Sequence, residues 1–378
     1  MTVKKMKSKI CLLGILLSAL VFHDFFKIEF FKLGPLTLTY QRIVIIVLCP
    51  IIFLPKFKIN LKDRLFVGIL IFFIYGLGRI GGNYREFITI YFPFFTFLLI
   101  YILINKNSEI KLVINFVATI YIFFCFIGLI EIISGLHFVE TYLEENTKLL
   151  AVGMYYNQND FSAFLLTMIF YMFLSNYPMI IKLFTTLIAM YIIYMNGSQI
   201  CILALLTFAI LYLIFRIENK KTRLFFLFVS IFGVFFMKDV FIHVIQKSSF
   251  VWRLLMYETG IQVCKNNLFF GTGIGNYEVA MYSLGFVESH SMSASPHCLL
   301  LELAGQFGGI WSILFISLLI HLFLFVCKSK MKNKIFLLGM LYIYPFISIA
   351  SSSSLDKNFT YLALLIPLLF YKRKRMYR

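Results

Sequence analysis

The sequence predicts an all-α, polytopic integral membrane bundle of about 12 transmembrane helices with one long extracytoplasmic loop. Three observations predict it. The 378 residues are 61% hydrophobic and 19% aromatic, where a soluble domain is roughly 45–50% apolar. Apolar runs of about 18 residues recur along the chain, the length that crosses a bilayer as a helix. Backbone polar groups in lipid must be satisfied within their own segment, so helices are expected and open sheets are not. No composition shift or linker divides residues 1–378, so the chain reads as a single transmembrane domain.

The start, Met1 to Lys9 followed by Ile10 to Phe22, has the basic head and apolar body of a signal peptide. It lacks a small-residue cleavage site and more spans follow, so it reads as an uncleaved first helix, 10–26. Further spans are expected at 36–54, 65–82, 86–104, 112–134, 161–176, 178–195, 200–215, 224–242, 299–326, 335–351 and 358–371. Charge orients them. Most of the 35 Lys and Arg fall on alternate connections, including Lys56, Lys58, Lys220 and Lys221, and on both ends of the chain, while most of the 17 acids fall on the other side. Positive-inside then places both termini in the cytoplasm of a cell-membrane protein. The net charge of +18 reads as topology, and nucleic acid is not an expected partner. Two outer segments stand out, Gly135 to Asp160 and the longer Asp239 to Pro296, the extracytoplasmic loop 239–296.

The seven cysteines are scattered, with no CxxC and no clustered histidines, so neither a metal nor another cofactor is expected. Only Cys264 and Cys298 fall in the outer region, and nothing in their spacing demands a disulfide.

Polar chemistry collects in the long loop and just after it. Arg253 sits in Phe250-Val251-Trp252-Arg253-Leu254-Leu255-Met256-Tyr257-Glu258. On a helix, Met256, Tyr257, Gly260 and Cys264 share its side, and Glu258, Gln262 and Lys265 do not. An Arg on an apolar side either grips an anion such as a diphosphate or snorkels to water. His297 precedes an apolar helix on which Ala304 and Gly308 are expected beneath it. It reads either as a neutral base for a sugar hydroxyl or as a helix-start residue facing water. Glu302, one turn into that span, is costly there unless used or paired, and joins the candidate catalytic set.

Gly271-Thr272-Gly273-Ile274-Gly275-Asn276 lacks the preceding strand of a dinucleotide site and reads as a tight turn that lets backbone approach substrate, through Gly273 and Gly275. Asn157 and Asn159 stand before the sixth span. Asn159 or Asp160 is a natural helix cap there, and the two asparagines could instead bind sugar hydroxyls. Arg79 and Arg85 flank a short outer turn and read either as phosphate contacts or as surface anchors.

Taken in order, these motifs resemble the O-antigen polymerase and O-antigen ligase superfamily (Wzy-type polysaccharide polymerases). The resemblance runs over roughly residues 150–326 and rests on Gly153-x3-Asn157-x-Asn159, on Arg253 followed by the glycine turn, and on Pro296-His297-x4-Glu302-x5-Gly308. Cys298 replaces the frequent Asn after His, Trp311 stands where a second Gly is usual, and Gln199 replaces an Arg in Asn196-Gly197-Ser198-Gln199. The resemblance implies a glycosyltransferase that polymerises polyprenyl-diphosphate-linked oligosaccharide repeat units into capsular, exo- or O-antigen polysaccharide. Arg253, helped by Arg85 or Lys265, would stabilise the leaving diphosphate, and His297 would be general base or acceptor-positioning group. Membrane lipid, a flippase and a chain-length regulator are the implied partners. Transfer of a finished glycan by a ligase is the alternative within the superfamily. A glycan flippase or transporter is the alternative outside it, with Glu131 as the main intramembrane charge.

Overall fold

A computed structural model describes residues 3–22, 31–33, 36–38, 42–47, 64–79, 84–138, 150–153, 155, 157–216, 248–286, 297–331, 333–351 and 355–376. They form a helical bundle: α1 (Val3–Val21), α2 (Arg64–Leu77), α3 (Tyr84–Leu103), α4 (Asn107–Ser134), α5 (Gln158–Leu174), α6 (Met179–Met195), α7 (Gln199–Arg216), α8 (Ser248–Asn266), α9 (Tyr277–Ser283), α10 (Leu299–Phe307), α11 (Gly309–Lys328), α12 (Lys334–Ala350) and α13 (Asn358–Met376). Two of them, α4 and α11, are long and apolar enough to cross a membrane by length and composition, and six others carry shorter apolar stretches. That supports a membrane bundle and not a count of 12 spans. The expected span 224–242 lies outside the described residues.

Three expectations change. The span 36–54 begins as a strand: Phe31–Leu33 (β1) pairs antiparallel with Leu36–Leu38 (β2), in register Phe31 to Leu38 and Leu33 to Leu36. Gly34-Pro35 lies between them in sequence, and both residue types oppose helix. The span 299–326 is two helices, because Gly308 breaks it at φ 94°. A Cβ there would sit 2.1 Å from the Phe269 carbonyl oxygen, so the close crossing of the chain requires glycine. Finally α5 starts earlier than expected. Asn157 is its cap, accepting from Asn159 N at 2.8 Å, rather than Asn159 or Asp160.

The centre is α5. Every residue from Asp160 to Met172 is buried, as befits a helix apolar on all sides. It packs between α4 and α12, with Phe161 and Phe164 against Phe124 of α4. The bundle has two chemically distinct ends. At one, Lys9 of α1 pairs with Glu109 at the start of α4. There Lys372 of α13 donates to the Tyr101 and Ile104 carbonyls at 2.6 and 2.9 Å. Lys182 donates to the Ser175 carbonyl at 2.7 Å. These ammonium groups satisfy the open carbonyls where α3 and α5 finish, the favourable end of the helix dipole. Lys9 of α1 and Lys372 of α13 therefore share this basic end. The opposite end carries Glu131, Asp160, His297, Glu302 and Lys357.

Candidate active site

Helices α8, α9 and α10 build the site around one ring. On α8, Met256, Gly260 and Val263 are buried, Arg253, Tyr257 and Cys264 half-buried, and Glu258, Gln262 and Lys265 exposed. Tyr277, the first residue of α9, lies between α8 and α10. A Cβ on Gly260 would come 2.4 Å from its hydroxyl, and one on Gly305 2.1 Å from its ring. Two glycines seven residues after Arg253 and eight after His297 thus let the helices close on Tyr277 and fix the two functional residues relative to each other. The Tyr277 hydroxyl is buried without a hydrogen-bond partner.

His297 is not on the helix. It precedes the Cys298 cap of α10 and takes φ 44°, the positive-φ non-glycine residue among those described. Helical spacing therefore does not place Ala304 and Gly308 beneath it, and Gly308 serves the helix break instead. A non-glycine residue in this region costs about 1–3 kcal/mol and persists where its surroundings hold it. Here Tyr257 Oη donates to the His297 carbonyl at 3.2 Å, and the ring bonds the Ser351 backbone. Nδ1 is buried with no partner, so the Ser351 carbonyl receives the Nε2 proton. Burial first, and then the nearby Arg253 charge, pull the ring down to about 4, against the smaller opposing effect of Ser351. The ring is thus neutral at pH 7 with an open acceptor.

Arg253 loses water on burial, which lowers it from its usual value, while the Tyr257 hydroxyl acts the other way. No carboxylate pairs with it among the described residues. A guanidinium stays charged, so the site presents a half-buried cation beside a neutral imidazole.

Glu302 is 2% exposed, and its Oε2 accepts from Leu355 N at 3.3 Å. It faces the connection between α12 and α13, whose polar residues were not singled out in the sequence. Ser351 touches His297, Leu355 touches Glu302, and Lys357 Nζ lies 3.2 Å from Asp160 Oδ2 and 3.6 Å from Asp356 Oδ2. Asp356-Lys357, an adjacent acid and base after four serines in the short connection between two spans, was the signal available.

The glycine turn is a clamp on the helix break. Gly271, Gly273 and Gly275 all have positive φ. Thr272 N and Gly273 N donate to the Gly305 and Gln306 carbonyls at 2.7 and 3.1 Å, Ile274 N to the Arg79 carbonyl at 2.9 Å, and Gly309 N to the Leu268 carbonyl at 2.7 Å. Arg79 returns a bond from Nη2 to the Gly271 carbonyl at 2.8 Å. The glycines let chain approach chain, and the Gly273 amide is already committed.

Of the other candidates, Asn157 is half-buried and its side chain serves the cap, while Asn159 is half-buried beside it. Lys265 is exposed in the last turn of α8. Arg85 lies in the first turn of α3 and its side chain is outside the described residues. Glu131 is a latch: its carboxylate accepts from Val152 N, Gly153 N and Phe138 N at 2.9, 2.6 and 3.3 Å. Asn196 binds both backbone groups of Ala151 at 2.8 Å. Cys264 and Cys298 are free thiols, and no metal-binding group of three His, Cys, Asp or Glu occurs among the described residues.

Beside His297 and Glu302 opens an apolar cavity of about 280 Å³, bounded by Phe72, Tyr91, Leu299, Leu303, Trp311 and Tyr361 among others. Trp311 meets Phe72 edge-on and Tyr75 at a tilt there, at 5.0 and 5.2 Å between centroids. The space is apolar, and Leu299 and Leu303 of α10, which line it, lie on the helix that His297 precedes.

Residues 184–316 match the O-antigen ligase family model. The match takes in Arg253, Gly273, Gly275, His297 and Glu302, and supports the O-antigen ligase and polymerase superfamily. It likewise supports a membrane enzyme that transfers glycan. It ends before the α12–α13 connection and begins after Asn157 and Asn159. No curated protein and no solved structure matches the chain.

Proposed function

We propose that the protein is a repeat-unit polymerase: it joins polyprenyl-diphosphate-linked oligosaccharides into capsular, exo- or O-antigen polysaccharide. The carrying observation is the buried, unpartnered Nδ1 of His297 beside an Arg253 that no carboxylate pairs with among the described residues. A hydroxyl of the acceptor glycan gives its proton to Nδ1. Its oxygen bonds to the anomeric carbon of the donor while the bond from that carbon to the diphosphate breaks, and the electron pair leaves with the diphosphate. Arg253 neutralises the departing charge as a fork. A base near 4 is weak; burial is the main cause and the Arg253 cation the second, and a diphosphate on Arg253 offsets that second effect and raises the imidazole as the donor binds. The apolar cavity takes the first isoprene units of the carrier. No nucleotide or metal is needed, because the leaving group is already activated.

In this reading residues 1–378 form one transmembrane domain with both termini cytoplasmic, and the 239–296 loop works outside. Glu302 holds the α12–α13 connection beneath His297. Asn157, Asn159, Arg85 and Lys265 flank the glycan path, and Gly273 and Gly275 shape it. A flippase supplies the substrate and a chain-length regulator acts on the product. The family match favours a second reading equally, transfer of one finished glycan to another acceptor. Protein purified in nanodiscs and given a lipid-linked repeat unit separates them. A ladder of products is expected. A single transfer to a second acceptor indicates a ligase, and no product without an ion gradient indicates a transporter.

A further inference from the structure

We propose that Asp160 and Asp356, joined through Lys357, form a carboxylate subsite for hydroxyl groups of the glycan. This rests on the glycan-transfer reading above. Lys357 Nζ bridges Oδ2 of both acids, yet Oδ1 of each is buried with no hydrogen-bond partner. Asp160 is 3% exposed. Buried polar atoms are nearly always satisfied, and an unmet carboxylate oxygen is among the costliest exceptions. Two carboxylates bridged through Oδ2 by one ammonium thus each keep an open Oδ1 for a ligand that brings donors.

The ammonium decides which donors. A divalent cation or a free amine would be repelled by the charge already between the acids. Neutral hydroxyls are not, and each makes a charge-assisted bond to a carboxylate. The position fits. Ser351 holds the His297 ring, Leu355 N holds Glu302, and Asp356 follows directly. The chain from Ser351 to Asp356 reaches at most about 18 Å, so the base and the carboxylates lie within one oligosaccharide of each other. Leu355 and Thr360, on either side of Asp356-Lys357, line the apolar cavity. Lipid space, base and carboxylates therefore adjoin through one connection.

The test is calorimetric titration of the full-length protein in nanodiscs. The probe is the oligosaccharide released by mild acid from the source cell's lipid-linked repeat unit. Asp356→Ala is expected to weaken binding by about tenfold or more at an unchanged melting temperature, with Asp356→Asn, which keeps an acceptor, falling between. Glu258→Ala, at an exposed carboxylate of α8, should bind as wild type does. Asp160→Asn should weaken binding as well, but it disturbs a buried ion pair, so Asp356 is the deciding position. Binding by Asp356→Ala within twofold of wild type overturns the subsite, as does wild type that fails to bind, or calcium that displaces the oligosaccharide. Failure of the transfer reading shows elsewhere: His297→Ala would then make polymer at the wild-type rate in the ladder assay.

Discussion

His297 combines three local facts: a positive φ, an Nε2 spent on Ser351 and an Nδ1 left open. They predict an unusual acid limb. Because burial and Arg253 lower the ring to about 4, the free protein keeps it unprotonated well below the usual histidine range. The kcat/KM for glycan transfer should therefore stay level from pH 7 to about 5. A fall centred near 6.5 would mean that the ring is not the buried group described. Replacing Arg253 removes a cation that disfavours imidazolium, so any residual activity of Arg253→Met should lose its acid limb at a higher pH than wild type. Arg253→Lys keeps the charge and loses the fork. It is expected to cut polymer formation severely at normal protein level, and polymer of normal yield would rule out the diphosphate contact.

Helix closure around Tyr277 gives the next test. Gly305→Ala places a methyl against the Tyr277 ring and should cost about 1–3 kcal/mol by overpacking, read as a lower melting temperature in detergent. Gly14→Ala in α1 meets nothing within 4 Å, so it should be neutral or gain up to about 1 kcal/mol of helix propensity. Glu131→Ala frees three backbone amides and should destabilise by at least about 2 kcal/mol. A silent Glu131→Ala would return that residue to the transport reading. These elements also show what was legible. The apolar side of α8 was readable because Arg253, Met256, Tyr257, Gly260 and Cys264 recur at helical spacing. The break at Gly308 was not, because it depends on Leu268 and Phe269 approaching from a distant turn. The glycine turn was found, but not its use: composition shows that backbone comes close to something, not that the something is Gln306 and Arg79. His297 was found by its place before an apolar run, whereas Asp356-Lys357 was passed over because their meaning lies in contacts to Asp160 and, through Leu355, to Glu302.

Across the molecule, Lys9, Lys182 and Lys372 mark one end of the bundle and His297 the opposite end. Cysteine introduced at the exposed Leu284, beside Gly285, should react with an impermeant reagent in intact cells if that end faces outward; labelling only after lysis would reverse the orientation. The central claim joins both ends of this scale, that a base on one loop drives glycan transfer at the membrane surface. The most direct measurement is product formation from a purified lipid-linked repeat unit by His297→Ala, alongside its melting temperature. The account predicts a rate lower by about 10²–10⁴-fold in a protein that still folds, with a stability loss of no more than about 1–3 kcal/mol for the buried ring and its Ser351 bond. A wild-type rate, or a lost rate accompanied by lost folding, would contradict it.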